Sequence, residues 1–152
     1  MMRWREPVLP EWIDYNGHLS EAYYVLVFGH ATDAVMEAVG LGEAYRTATS
    51  ASLFTVEAHV RYLDQVGPDA TLEVRSSVVG AAEKKLHLWH ELWVDDRLRA
   101  TEEVLGLHVD AAAGRATPFP ETVSAAISAV LVDLPVDAGA VTVARSAPAP
   151  AG

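Results

Sequence analysis

Asp14-Tyr15-Asn16-Gly17-His18-Leu19-Ser20 runs directly into the apolar segment from Glu21 to Val39, and the reading of this stretch decides the fold. Tyr24, Val27, Phe28, Ala31, Ala34, Val35 and Ala38 recur at intervals of three and four, which marks one face of a helix. A second apolar row, Ala22, Val25, Leu26, Gly29, Met36 and Val39, lies beside it. Only His30, Asp33 and Glu37 are clearly polar, so the pattern predicts a helix wrapped on most sides with one narrow wet stripe. Ser20 stands at the N-cap, Glu21 sits where the positive end of the helix dipole favours a carboxylate, and Gly40 and Gly42 supply the stop.

The turn that feeds this helix collects chemistry. Asp14 supplies a carboxylate, His18 an imidazole, Asn16 an amide and Gly17 a flexible backbone, while the helix start adds unpaired N–H groups. A carbonyl can be polarised there. By residue type alone Asp14 is also ordinary turn chemistry, and His18 suits a structural hydrogen bond as well as catalysis.

Beyond the helix the period changes. Phe54, Val56, Ala58, Val60 and Tyr62 alternate with Thr55, Glu57, His59 and Arg61, which is strand spacing. Three more strand-like runs follow, around Leu72 to Val79, Lys85 to Val94 and Leu98 to Val109, and their short turn-rich links predict neighbouring antiparallel strands. Before the helix, Pro7 and Pro10 restrict Trp4 to Ile13 to an edge strand or extended lead-in. The expected architecture is α+β: a long antiparallel sheet curled around one central helix, filling residues 1–110. A C-terminal extension at 111–136 carries a second amphipathic helix over Pro120 to Leu131, and the Ala/Pro-rich run 137–152 has too little to bury and reads as a flexible tail.

Composition narrows the function classes. With 152 residues the chain is one domain's worth. It has no Cys, which excludes disulfides, thiolate metal sites and a Cys nucleophile. A net charge of -10 without a basic stripe argues against nucleic acid. The N-terminal charges and Pro7 do not suit a leader, and no apolar run has membrane length, so a soluble cytoplasmic protein is expected. His87 and His90 have metal-like spacing, but in a strand they point to opposite faces, so no metal is expected. Neither a nucleophile elbow nor a phosphate loop is present.

The Asp three positions before Gly17-His18, the apolar helix with an early Tyr and the Tyr-bearing strand that opens a meander resemble the hotdog-fold acyl-CoA thioesterases of the 4-hydroxybenzoyl-CoA thioesterase type. The likeness spans roughly Trp4 to Asp110. More closely, Asp14 to His18, Ala22-Tyr23-Tyr24, Ala31-Thr32-Asp33-Ala34, Glu57-x-His59-x-Arg61-Tyr62 and Glu102-Glu103 with Leu107-His108-Val109-Asp110 are similar to the thioesterases of carnitine catabolism. Those hydrolyse betainyl-CoA, alone or fused to L-carnitine dehydrogenase. Ser20 and Glu21 stand where many members of the wider family carry two Asn residues, which puts the shape of the acyl pocket in question.

The resemblance implies a hotdog thioesterase acting on a short polar acyl-CoA. Asp14 would be its catalytic carboxylate, attacking the carbonyl or activating water, with Asn16, Gly17 and His18 shaping the turn. Backbone N–H groups near Ser20 and Glu21 would meet the oxyanion, and Tyr24 would lie close by. It also implies a homodimer or homotetramer with the substrate groove between subunits, which makes Glu57, His59 and Arg61, on one face of the long strand, candidates for the substrate contacts that a second subunit contributes. By default that row is a solvated strand face. No metal or organic cofactor is implied. The many aromatic residues, among them Trp12, Tyr15, Tyr23, Tyr24, Tyr45, Tyr62, Trp89 and Trp93, suit a trimethylammonium group, although core packing explains any single one equally. A hotdog hydratase and a non-catalytic hotdog module for ligand binding or oligomerisation are the alternatives.

Overall fold

A helix that is apolar nearly all round needs a sheet that curls over it. The structure, a computed structural model, describes residues 1–144 and has that form. Strand β1 (Met2–Pro7) leads through a single 3-10 turn to α1 (Glu21–Ala38), followed by α2 (Glu43–Thr49), β2 (Ala51–Tyr62), β3 (Thr71–Ala81), β4 (Lys85–Val94), β5 (Arg97–Asp110), β6 (Arg115–Ala116) and α3 (Glu121–Val130). The sheet runs in the order β1-β3-β4-β5-β2, with β6 added to the end of β5. All these pairings are antiparallel.

The elements expected from periodicity are present, but one adjacency differs. Strand β2 pairs with β5, not with β3. The link between β2 and β3 crosses the start of α1 instead of making a tight turn, and Val66 within it is buried and accepts the Leu19 N–H at 2.8 Å. This crossing forms one wall of the cleft at the helix N-terminus. Helix α2 was not legible, because its seven residues bury no side chain and so show no apolar period.

The core lies between α1 and the concave face of the sheet. Toward the helix start, Tyr24, Val27 and Phe28 pack with Leu72, Val74, Leu92 and Ala100. Toward its end, Val35, Met36 and Val39 meet Val78, Leu86, Leu88 and Val104, with Val123 and Ile127 of α3 closing the layer. Gly106 on β5 admits Leu53, since a Cβ there would stand 2.6 Å from the Leu53 Cγ.

His90 is fully buried beside Phe28, and its surroundings settle its proton. The Thr32 hydroxyl donates to the Phe28 carbonyl at 3.0 Å, so it accepts from the His90 Nε2–H at 2.9 Å, and the bare Nδ1 accepts from the Ser76 hydroxyl at 2.7 Å. Burial lowers the pKa of this neutral ring from 6.5 to about 3. Between those values the unfolded chain binds a proton that the folded chain does not, so stability falls as pH drops from 6.5 toward 3. The loss is on the order of 4 kcal/mol at the lower end. Thermal melts across that range should show His90→Gln less stable than wild type at pH 7 but with a shallower acid slope. Equal slopes would contradict this account of the ring.

On the convex face Glu103 accepts from His87 Nε2 at 3.0 Å and from the N–H groups of Gly139, Ala140 and Val141 at 2.8, 3.1 and 3.3 Å. Burial would raise its pKa, but those backbone N–H groups and His87 outweigh it and hold it below the usual carboxylate range. The chain after Asp137 was expected to bury too little to be ordered. Instead a buried carboxylate anchors residues 139–141, and Val141 is buried. The remainder of the expected tail, from 145 on, lies outside the described residues.

Candidate active site

Asp14 sits in a tight turn whose backbone closes on itself. Its N–H donates to the His18 carbonyl at 2.9 Å, and its carbonyl accepts the Gly17 N–H at 3.0 Å. Gly17 has φ 77, the left-handed region that its missing Cβ makes accessible. Asp14 Oδ1 accepts the Asn16 N–H at 2.8 Å and the His18 N–H at 3.4 Å. This turn clamps one carboxylate oxygen, and among the described residues no donor meets the other.

Ser20 occupies the N-cap position with φ -67 and ψ 144, but its side chain makes no capping bond. Its own N–H is taken by the Trp12 carbonyl at 2.9 Å, and the Tyr23 N–H goes to the Ser20 carbonyl at 3.0 Å. The Ser20 N–H is therefore not available to an oxyanion, contrary to the expectation. Among the described residues, the N–H groups of Glu21 and Ala22 remain without a partner, at the positive end of an 18-residue helix.

Asp14, Asn16, His18 and Glu21 line one side of a cleft of about 700 Å³. Tyr24 and Tyr62 also line it, with ring centroids 5.1 Å apart and planes at 90°. The Tyr62 hydroxyl donates to the Glu21 carbonyl at 3.3 Å, fixing strand β2 to the first residue of α1. Leu63, Asp64 and Gln65 of the crossing link complete the wall. Arg99 holds that wall in place by donating to the Gln65 carbonyl at 2.6 Å and to Asp64 at 3.3 Å. The cleft thus joins a half-exposed carboxylate with a free oxygen to the start of a helix whose first two N–H groups are unpaired among the described residues. This is the set required to attack a carbonyl or activate water against it while stabilising the oxyanion.

The sequence profile of the Thioesterase-like superfamily matches residues 8–127. The chain belongs to that superfamily. Over 126 residues it is 44% identical to the betainyl-CoA thioesterase of Pseudomonas aeruginosa, covering 82% of this chain and 79% of that protein. Over 117 residues it is 40% identical to the L-carnitine dehydrogenase/betainyl-CoA thioesterase of Agrobacterium fabrum, covering 76% of this chain but 24% of that longer protein. Among solved structures, a Staphylococcus aureus protein in complex with CoA superposes with a TM-score of 0.83 at 26% identity, covering 97% of this chain and 94% of that one. The protein is an enzyme, a thioesterase of hotdog fold, as the resemblance implied.

The thioesterase brings Asp14, Asn16, His18, Glu21 and Tyr24 to one cleft, with Gly17 shaping the turn. Glu57, His59 and Arg61, expected as a second subunit's contribution, do not line this chain's own cleft. Ala58 and Val60 of the same strand face α1, so the row between them projects from the opposite, exposed face. A bulge between Thr55 and Glu57 also breaks the alternation: Leu53 enters the core, while Phe54 and Val56 are exposed. Of the aromatic residues, Tyr24 and Tyr62 line the cleft. Trp89 and Trp93 instead donate to Glu91 on the convex face at 3.0 and 2.9 Å, and Tyr45 bonds His108 at 2.8 Å near the far end of α1. Leu63, Asp64 and Gln65 were missed, because a link carries no periodic signal and its place at the site depends on the crossing that sequence spacing did not reveal. No single helix among the described residues is long and apolar enough to cross a membrane.

Proposed function

We propose that the enzyme hydrolyses betainyl-CoA to betaine and CoA, with Asp14 as the catalytic carboxylate. The observation that carries the site is the free oxygen of Asp14 in one cleft with Glu21, whose N–H, like that of the next residue Ala22, is unpaired among the described residues. The likeness to betainyl-CoA thioesterases supports the acyl group. An acyl-CoA thioesterase needs a water, a proton acceptor and a stabilised oxyanion, and no step requires a metal or organic cofactor. Asp14 either attacks the carbonyl, expelling the CoA thiolate to leave an anhydride that water cleaves, or removes a proton from the attacking water; both routes use the same oxygen. The preorganised N–H pair supplies the larger share of the rate in either case.

The working form is a homo-oligomer in the cytoplasm. Among the described residues strand β2 pairs on one side only, and its exposed Phe54 and Val56 lie on the open edge of the sheet, while Val25 and Leu26 of α1 are likewise exposed. The other edge, β1, carries Arg3, Arg5, Glu6 and Pro7, residues that discourage strand pairing. A second copy meeting β2 would close the substrate groove.

The test is release of free CoA from betainyl-, acetyl-, butyryl- and benzoyl-CoA. Selective turnover of betainyl-CoA is expected. Turnover of the neutral esters alone would keep the site and reject the substrate. An intact protein that turns over none of the four would favour a binding module.

A further inference from the structure

Glu102 is 4% exposed, yet it has no ion-pair or hydrogen-bond partner among the described residues. It stands opposite Val60 on β5, on the strand face that looks toward α1. Its carboxylate opens into a cavity of about 300 Å³ between α1 and β2, walled by Val25, Met36 and Val104. Asp33 lies on the rim, and the lining includes no Lys, Arg or His. Gly29 faces the same space, and a Cβ there would meet nothing within 4 Å. An unpaired buried carboxylate is costly to keep ionised, and burial raises this one to about 7. A cation in the cavity would offset that cost.

Val25 of this cavity follows Tyr24 of the cleft on α1, and with Val60 opposite Glu102 and Tyr62 opposite Ala100, Glu102 and Tyr62 are diagonal neighbours on the inner sheet face. The Tyr62 hydroxyl, bonded to the Glu21 carbonyl, has its pKa raised by burial first and then by the negative charge of both Glu21 and Glu102. Both carboxylates therefore bear electrostatically on the ring that lines the cleft. In a betainyl thioester one methylene separates the quaternary nitrogen from the carbonyl carbon, so its cation must lie close to the oxyanion donors at Glu21 and Ala22. Methyl groups on such a nitrogen suit aliphatic walls and an aromatic ring, and the charge suits a carboxylate that no protein cation neutralises.

We infer that Glu102, with the Tyr62 ring, is the subsite that recognises a cationic acyl head and sets the enzyme's preference for charged over neutral short acyl groups. This rests on the thioesterase reading above. The discriminating pair is betainyl-CoA and 3,3-dimethylbutyryl-CoA, which have the same shape and differ in the charge of the quaternary centre. Wild type should favour the charged ester in kcat/KM by about tenfold or more. Glu102→Gln should bring the ratio close to one, and Glu102→Asp should retain part of it. Thr55→Lys, at an exposed position on the cavity rim, places a tethered ammonium in the same space without altering the buried residue and should abolish the preference as well. A wild type that treats the two esters alike, or a Glu102→Gln or Thr55→Lys protein that keeps the wild-type ratio, would overturn the inference. A wild type that cleaves neither ester would overturn the thioesterase reading and this subsite with it.

Discussion

Replacing Glu21 with proline should lower kcat by roughly a hundredfold or more while leaving the fold intact. Glu21 is the first residue of α1, and among the described residues its N–H has no protein partner, so proline there removes no structural hydrogen bond. Proline also restricts the residue before it to extended backbone, which Ser20 already adopts at φ -67 and ψ 144. The Glu21 carbonyl that accepts from Tyr62 is retained. What is lost is one donor aimed at the developing oxyanion, together with the side chain, and Glu21→Ala removes the side chain alone. The comparison of the two variants by kcat isolates the N–H. Equal activities in Glu21→Pro and Glu21→Ala would mean that the helix start does not hold the oxyanion.

Legibility in the sequence followed the strength of each physical signal. The central helix and β4 were readable because long apolar periods admit few alternatives, and β4 begins at Lys85 and ends at Val94 as expected. The turn from Asp14 to His18 was readable because Gly17 and Asp14 are turn chemistry, and the carboxylate and imidazole it carries mark it as a candidate site. Three features were not readable. The bulge in β2 shifts the alternation by one residue, which is enough to move Phe54 and Val56 off the inner face. The link after Tyr62 is short enough to suggest a hairpin, and only the completed sheet order shows that it crosses the helix start and lines the cleft. The anchoring of residues 139–141 depends on Glu103, a buried carboxylate some thirty-six residues earlier, as in the Gly139 contact, and composition says nothing about such a pairing. Glu102 and Glu103 look alike in sequence, yet alternation sends one to the cavity between α1 and β2 and the other to the convex face.

Asp14→Asn should reduce turnover on the order of a thousandfold. The amide can still accept the Asn16 and His18 N–H groups through its oxygen, so the turn and the cleft persist. It can neither attack a thioester carbonyl effectively nor accept a proton from water. Binding should change much less, because the cleft walls contributed by Tyr24, Tyr62 and Asp64 are untouched. Free-CoA release from betainyl-CoA, followed for wild type and Asp14→Asn in parallel, decides whether Asp14 carries the chemistry. Wild type should release CoA rapidly and the variant should lose nearly all of that activity, with KM changed little. A variant that releases CoA as fast as wild type would make Asp14 a turn residue only and place the chemistry elsewhere.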